Sequence, residues 1–282
     1  MCGRYIIIDT VETIEKRFNV KAEQPEQLKM NYNVAIGQHA PVITDKDPRN
    51  LQMFQFGLTP SWAKKNMYLF NARSEGDHNS EDDPRYSGAK GIIEKPAFRK
   101  PIRSQRCLVI VSGFIEGPKI GGLDKPYLIY LKNKKRPFAL AGIWDSWKKP
   151  DTNEIINSFS IITTTANELL QKIGHHRMPV ILSDFHEKIW LQNDAPLSQI
   201  TRLLEQYPVE EMNAYPISPE IKSPKNNYKE LLDPIGERIY PKFETKTTQT
   251  MELQGFGSGK HRKKEDDVWG GENSNKLNGR RP

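Results

Sequence analysis

The sequence opens MCGRY, which places Cys2 directly behind the initiator Met. Cysteine is small enough for that Met to be removed, and the mature chain would then carry a free α-amine and a thiol on one residue. In such a 1,2-aminothiol the amine has a pKa of about 8 and the thiol about 8.5, so a useful fraction of each group is nucleophilic near neutral pH. An internal cysteine does not offer this pair.

Two chemistries are open to an N-terminal cysteine. In the first, the thiolate attacks an acyl carbon and the α-amine acts as base, as in N-terminal-nucleophile hydrolases and glutamine amidotransferases, which also begin MCG. In the second, the amine condenses with an aldehyde and the thiol closes on the imine carbon to give a thiazolidine. This closure gains from a high effective concentration because one residue holds both groups. A third interpretation makes Cys2 an ordinary small residue at a frayed end.

The segment FNARSE at 70–75 places an amide, a guanidinium and a carboxylate at alternate positions, in Asn71, Arg73 and Glu75. If the segment is extended, successive side chains point to opposite faces, so these three share one face. Such a face is typical of a binding site, and a solvated edge strand would give the same pattern.

Two further segments supply groups suited to proton transfer. In LVIVSGFIEG, Glu116 comes just past an apolar run, and partial burial there would raise the pKa of its carboxyl group toward the useful range. In GHHRMPVIL, His175, His176 and Arg177 precede a strand that Pro179 introduces. Histidine is the side chain best suited to exchanging protons near pH 7, so this junction is a candidate part of a site.

The elements that must hold these residues are mostly strands. Apolar runs bounded by Pro, Gly, Asn and Lys predict strands at 51–56, 107–114, 127–131, 138–144, 159–165 and 180–182. The strands do not alternate with regular crossover helices, which favours an α+β fold built on antiparallel sheet over a parallel sheet. The segment KNKKRP at 132–137 is typical of a hairpin tip between two of these strands.

A few short helices complete the predicted domain. The stretch at 10–18 has apolar residues on one face and Thr10 as its cap. A second helix is predicted after Ser183 and Asp184, and a third over 196–207.

Composition bounds the class of protein. The chain has 282 residues and a formal net charge of +7, which favours polyanionic partners. No apolar run reaches the roughly 18 residues of a membrane span and no signal peptide is visible, so we expect a cytoplasmic protein without a membrane partner. Two cysteines, Cys2 and Cys107, make a disulfide framework implausible. Cys107 heads an apolar run and is expected to be an inert core thiol.

We also expect neither a metal nor another cofactor. The sequence has no CxxC or Cys/His ligand spacing, and His175 and His176 are adjacent, which makes them a poor metal-binding pair. Apolar periodicity stops near residue 245, which predicts one domain over 1–244 and a polar, basic, disordered tail over 245–282. Three of the seven net positive charges lie in that tail.

Several motifs together resemble the SRAP (SOS-response-associated peptidase) family, and the likeness spans residues 2–235. The matching segments are MCGRY at 1–5, YNVAIGQ at 32–38, GLTPSW at 57–62, NARSE at 71–75, SGFIEG at 112–117, ITTTAN at 162–167 and GHHRMPVIL at 174–182. Each segment alone is weak evidence for the family, but the segments occur together in this order. The amidotransferase alternative is supported by MCG only. The resemblance implies a β-rich α+β domain with two curved antiparallel sheets around a cleft.

The resemblance also implies a specific reaction. Such proteins sense abasic sites in single-stranded DNA, whose ring-opened sugar exposes an aldehyde, and cross-link to them through the N-terminal cysteine. Carried over by position, Cys2 would be the nucleophile and Asn71 would orient its amine. Glu116 would assist ring opening and imine formation, with His175 as its partner; the position relative to Arg177 and Pro179 favours His175 over His176, which stays the alternative. The same Glu and His would remove Met1 by autocatalysis and slowly reverse the cross-link, a peptidase and lyase-like activity.

The resemblance places DNA contacts at further positions. The candidates are Arg4, Asn33, Trp62, Arg73, Thr163, Arg177, Lys222 and Lys225. The arginines would clamp phosphates because their donors are bidentate, and Trp62 would stack on a base, with a core aromatic as the equal alternative. The partner would be abasic single-stranded DNA bound by a monomer, which associates with the nucleoid when on DNA.

Two positions depart from the family pattern. Ile36 stands where the family usually has Pro, and Gly117 stands where an aromatic residue normally follows the Glu. Both would alter the shape of the DNA channel without removing the chemistry. A thiol hydrolase or amidotransferase, and a basic single-strand-binding module in which Cys2 is incidental, remain the competing interpretations.

Overall fold

The computed structural model describes residues 3–132 and 136–241. Cys2 and the predicted tail at 245–282 therefore lie outside the described residues. Within them the chain forms these strands: β1 (Arg4–Ile7), β2 (Lys21–Ala22), β3 (Asn31–Ala35), β4 (His39–Thr44), β5 (Asn50–Phe56), β6 (Asn71–Arg73), β7 (Arg106–Val111), β8 (Gly113–Glu116), β9 (Tyr127–Leu131), β10 (Phe138–Lys148), β11 (Ile155–Thr165), β12 (Arg177–Pro179), β13 (Ile181–Leu182) and β14 (Met212–Pro216). The helices are α1 (Val11–Phe18), α2 (Pro101–Ser104), α3 (Glu168–Lys172), α4 (Asp184–Leu191) and α5 (Leu197–Arg202).

Five strands close into a barrel. Strands β11, β10, β7, β4 and β5 pair in that order, and β5 returns to β11 through the parallel pairs Ser158↔Gln55 and Phe159↔Phe56. The rings of Phe56 and Phe159, which lie opposite each other in this pairing and are buried, stack with centroids 5.2 Å apart. Closure removes the free edges that an open sheet would expose. The strands are mostly antiparallel, so the predicted α+β fold with curved antiparallel sheets is confirmed.

A five-stranded antiparallel sheet, in the order β14, β9, β8, β1, β3, packs beside the barrel. The apolar run predicted as one strand at 107–114 is divided between the two sheets, because the chain leaves β7 for β8 at Ser112. The Ser112 hydroxyl donates to Asp9 Oδ2 at 2.6 Å and accepts from the backbone N–H of Ile8 at 2.9 Å. At the next residue, Gly113, a Cβ would lie 3.0 Å from the carbonyl oxygen of Ile129, so the sheets meet where a side chain would be crowded.

The predicted helices are present with the expected caps, and the predicted hairpin is wrong. Thr10 caps α1 and Ser183 caps α4 through their side-chain oxygens, while α5 is shorter than the predicted 196–207. Strand β9 pairs with β8 and β14, whereas β10 pairs with β7, β11 and β13. The segment 132–137, of which 133–135 lie outside the described residues, therefore connects two different sheets.

Strand β11 carries site-bearing strands on both of its edges. Strand β6 lies parallel to it with Thr163 opposite Arg73, and β12 lies antiparallel with the same Thr163 opposite Pro179. One residue can pair twice only when its partners lie on opposite edges, so β6 and β12 flank β11. No helix in the described part of the chain is long and apolar enough to span a membrane.

Candidate functional site

A cleft of about 380 Å³ opens where the five-stranded sheet meets the loop before β12. Its wall residues come from five parts of the chain. They include Gly3, Arg4, Ile36, Phe70, Glu116, Gly117, Lys119, His175 and His176. Strand β1 contributes Arg4, and β8 delivers Glu116 at its last position. The two positions that depart from the family pattern, Ile36 and Gly117, both lie in this wall.

The Glu116 carboxylate and the His175 imidazole form a buried pair in the cleft. Glu116 Oε2 lies 3.3 Å from His175 Nε2, and their side chains are 4% and 3% exposed. The other ring nitrogen, Nδ1, lies 2.7 Å from the backbone carbonyl oxygen of Arg177, which can only accept, so Nδ1 carries a hydrogen. An attractive contact between Nε2 and Oε2 then requires one proton between them. A carboxylate and an imidazole at this distance can share one proton.

Burial also sets the charge state of His175. Desolvation lowers the pKa of its imidazole, and the negative charge of Glu116 offsets this only in part. A neutral imidazole is consequently favoured near pH 7, where it can accept a proton and return it. The structure thus brings together the two residues that the sequence singled out for proton transfer, from segments 59 positions apart.

Arg177 is buried beneath this pair, and three acceptors hold its Nη2 atom. Its Nη2 lies 2.8 Å from Glu75 Oε2, and it also donates to the Thr163 carbonyl oxygen at 2.9 Å and to Thr163 Oγ1 at 3.2 Å. Burial raises the pKa of Glu75, but the charge and hydrogen bond of Arg177 outweigh it and leave that pKa below its usual value. Because its backbone carbonyl holds His175, this arginine fixes the orientation of the imidazole.

Asp82 joins the two predicted arginine clamps, and the sequence analysis did not identify it. Asp82 Oδ1 lies 2.9 Å from Arg73 Nη2 and 3.5 Å from Arg177 Nη1, while Oδ2 lies 3.4 Å from His176 Nε2. Burial lowers the pKa of His176 to about 4, although Asp82 acts in the opposite direction. The polar stretch GDHNSEDDPRYSGAK has no periodicity, so no signal distinguished Asp82 from its acidic neighbours.

Asn71 and Arg73 lie on β6, as the alternation predicted, whereas Glu75 lies just beyond its end. The Asn71 side chain donates to the Phe70 carbonyl oxygen at 3.0 Å, and Phe70 itself lines the cleft. The Arg73 side chain is 34% exposed and also contacts the carbonyl oxygen of Asn79.

Four other predicted DNA contacts lie near the N-terminal strand. Arg4 lines the cleft, and its Nη2 lies 3.3 Å from the Lys222 carbonyl oxygen. Lys222 is exposed and pairs with Asp124 at 2.6 Å, and Lys225 is exposed on the same loop. Asn33 is buried beneath that loop, where its amide donates to the carbonyl oxygens of 221, 223 and 226.

Trp62 and Thr163 occupy opposite environments. Trp62 is 59% exposed, so the core-aromatic alternative is wrong, and it borders a separate depression of about 400 Å³ with Arg99 and Lys100. Thr163 is 2% exposed and holds Arg177 from inside the barrel wall. Among the described residues no group of three or more His, Cys, Asp or Glu side chains is placed to hold a metal ion.

The fold and site define a class of protein: a closed barrel with a flanking sheet that presents a buried carboxylate–imidazole pair beside the N-terminal strand. The sequence profile of the SOS response associated peptidase (SRAP) family matches residues 1–224. The chain belongs to this family.

Similar proteins agree with this assignment. The abasic site processing protein YoqW of Bacillus subtilis (strain 168) is 36% identical over 241 residues, which cover 83% of this chain and 99% of YoqW. The abasic site processing protein HMCES of Gallus gallus is 30% identical, with 87% of this chain and 81% of HMCES covered. A crystal structure of a protein from Bacteroides thetaiotaomicron superposes with a TM-score of 0.70 at 29% identity, covering 83% of this chain and 100% of that one.

Proposed function

We propose that this protein processes abasic sites in single-stranded DNA by cross-linking to them through Cys2 after Met1 is removed. One observation carries the proposal: Gly3 lines the same cleft as the Glu116–His175 pair. Cys2 is bonded to Gly3 and neighbouring Cα atoms lie about 3.8 Å apart across a trans peptide bond, so the proposal requires Cys2 to reach into that cleft. The names of YoqW and HMCES support the same substrate.

The first step is opening of the sugar ring. An abasic deoxyribose is a cyclic hemiacetal, and it yields an aldehyde when the anomeric hydroxyl loses a proton and the ring oxygen gains one. The proton held between Glu116 and His175 would go to the ring oxygen, and the base left behind would take up the hydroxyl proton. One shared proton is sufficient, because the pair gives a proton to the ring oxygen and takes one back from the hydroxyl.

The second step joins the protein to the sugar. The α-amine of Cys2 adds to the aldehyde carbon, and loss of one water leaves an imine. The thiol then adds to the imine carbon, its proton moves to the nitrogen, and a thiazolidine results. Aldehyde and aminothiol thus give the ring plus one water, with no oxidant or reductant. Reversal is the same sequence read backwards, with Glu116 again supplying the proton.

The remaining residues would position the strand and the nucleophile. Asn71 would hold the Cys2 amine, and Arg4 and Arg73 would contact phosphates from the two sides of the cleft. Lys222, Lys225 and Trp62 are exposed and would meet the flanking nucleotides.

The buried residues among the predicted DNA contacts would act indirectly. Asn33 fastens the lysine-bearing loop, and Thr163 fastens Arg177, so their predicted influence on DNA binding would be exerted through those partners. Arg177 itself would serve by holding His175 in place.

Removal of Met1 would use the same groups. Hydrolysis of the Met1–Cys2 bond needs a base to activate water and an acid to protonate the leaving amine, which are the roles that Glu116 and His175 can exchange. Intact-mass measurement of the purified protein should therefore show loss of Met1. The Glu116→Gln variant should retain Met1 on a larger fraction of its molecules.

The decisive experiment mixes the mature protein with a single-stranded oligonucleotide carrying one abasic site. We expect an adduct that survives denaturing electrophoresis and whose mass equals the sum of the two molecules less one water. A matched oligonucleotide with a tetrahydrofuran in place of the abasic sugar cannot open to an aldehyde and should give none.

Two protein variants complete the test. Cys2→Ala should give no adduct, and a tag placed before Cys2 should block it as well, because the amine is then acylated. Cys107→Ala is the control that removes the buried second cysteine and should cross-link normally. If the wild type with an intact-mass-confirmed Cys2 terminus gives no adduct, the proposal is rejected.

A further inference from the structure

The carboxylate of Asp82 lies where a DNA phosphate would be expected. Arg73 is the partly exposed member of the arginine pair, and its Nη2 already has Asp82 Oδ1 at 2.9 Å. The Asp82 side chain is only 10% exposed, and its backbone has φ +57°, a region that non-glycine residues seldom occupy. A strained, nearly buried carboxylate in contact with Arg73, Arg177 and His176 requires a physical explanation.

Charge pairing shows that Asp82 is not required to neutralise the interior. The buried guanidinium of Arg177 has its close partner in Glu75 at 2.8 Å, while Asp82 lies at 3.5 Å from it. The shorter Asp82 contact is with Arg73 instead. Carboxylate and phosphate oxygens bind the guanidinium fork in the same way, so the two anions compete for these donors.

We propose that Asp82 is a specificity-determining residue that occupies the phosphate position at Arg73, so that a bound strand must displace it. The identity of the ligand as single-stranded DNA rests on the proposed function. The contact lowers the affinity for any strand, because a phosphate reaching Arg73 replaces an existing ion pair rather than filling an empty position. Weak binding of undamaged DNA would leave the protein free for lesions, where the covalent bond supplies retention.

The test measures non-covalent binding, with Cys2→Ala in every variant so that no cross-link forms. Fluorescence anisotropy with an undamaged, labelled single-stranded oligonucleotide gives Kd across a range of salt concentrations. Asp82→Asn frees Arg73, and we expect binding to tighten about fivefold at low salt, the upper range for an ion pair of this exposure. The slope of log K against log salt should steepen by about 0.7 for the added phosphate contact.

The neighbouring residue provides a matched control. Asp83 lies in the same loop, is 49% exposed and pairs with Arg85 at 3.6 Å, so Asp83→Asn makes the same charge change without touching Arg73. It should leave the salt slope unchanged. Adding Arg73→Gln to the Asp82→Asn chain should abolish the gain in affinity.

Three results would overturn the proposal: equal effects of the two Asp→Asn changes, weaker binding by Asp82→Asn, or a gain that persists without Arg73. Asp82→Gly guards against a folding defect, since glycine adopts φ +57° readily, and it should reproduce the tighter binding. The outcome is separable from the proposed function, because a failure of the wild type to cross-link abasic DNA leaves this comparison on undamaged DNA unaffected.

Discussion

Two buried acid–base pairs lie within one site and differ in what their positive partner can do. Glu75 meets the guanidinium of Arg177, and Glu116 meets the imidazole of His175; all four side chains are at most 4% exposed. A guanidinium stays charged at any pH a protein experiences, whereas an imidazole gains and loses its proton near neutrality. The same burial therefore yields a fixed support in the first pair and a proton-exchanging group in the second.

The two pairs are connected through a single backbone atom. The Arg177 carbonyl oxygen accepts the Nδ1 hydrogen of His175, so the residue whose side chain is locked by Glu75 also fixes the tautomer of that imidazole. The comparison thus predicts that damage to the first pair lowers stability, while damage to the second lowers rate.

The largest effect is expected from Glu75→Gln. This change leaves the buried guanidinium of Arg177 without its closest negative charge, and breaking such a pair costs about 3 kcal/mol or more of unfolding free energy. Urea denaturation at neutral pH measures the loss. An unchanged stability would show that Thr163 and Asp82 hold Arg177 without Glu75.

The pH dependence of the same variant adds a check. The pKa of Glu75 is lowered in the folded protein, so the unfolded chain binds its proton first, and the wild type loses this stability as pH falls below about 4.3, the usual pKa of Glu. The Gln variant should lack this contribution.

Glu116→Gln should instead reduce chemistry. The amide cannot exchange a proton with His175, and loss of a positioned acid–base group slows such steps by about 100-fold or more. Gel quantification of adduct against time measures the rate. The unfolding free energy should change less than in the Glu75 variant, and the reverse ranking would contradict the comparison.

A smaller effect, confined to a pH window, is expected from His176→Asn. The folded protein holds the pKa of His176 at about 4 against 6.5 for the free side chain, so between those values the unfolded chain binds more protons. Wild-type stability should therefore fall as pH drops from 6.5 to 4, and the variant should show a shallower fall. Thermal unfolding at pH 7, 5.5 and 4 measures it, with His39→Asn as an exposed control.

The smallest effect on stability is expected at the cap of α1, and it serves as a reference for the other variants. Thr10 Oγ1 accepts from the Thr13 backbone N–H at 3.3 Å as the cap of α1, and its loss in Thr10→Ala should cost about 1 kcal/mol of unfolding free energy. The cap belongs to neither pair, so the cross-linking rate of the folded protein should stay at the wild-type value. A change in rate would show that stability and chemistry are not separable.

Local signals made much of the fold predictable. Apolar runs located most of the core strands, and side-chain caps located α1 and α4, because both depend on neighbours in sequence. Closure of the barrel through β5 and β11 was not predictable, since a parallel pair between residues about 100 positions apart has no local signature. The division of the apolar run at Ser112 was not predicted for a related reason, because an apolar run does not show which sheet each half joins.

The site shows the same limit. Residue type and position picked out Glu116 and His175, which the structure places in contact. The burial of Asn33, Thr163 and Arg177 could not be predicted from the sequence. A polar residue in a strand gives the same sequence pattern whether its partner is water or a distant carbonyl group. Asp82 was missed since its role depends entirely on where its loop folds.

The double pairing of Thr163 has a practical consequence. With β6 and β12 fixed to opposite edges of one strand, the spacing between Arg73 on β6 and Arg177 on β12 is set by β11 and not by the chain between them. Segment 85–89, which follows the contacts of Asp82 with both arginines, can then change in length without shifting β6 or β12. The exposed residues Ser87 and Gly88 are accordingly a suitable place to insert a reporter peptide.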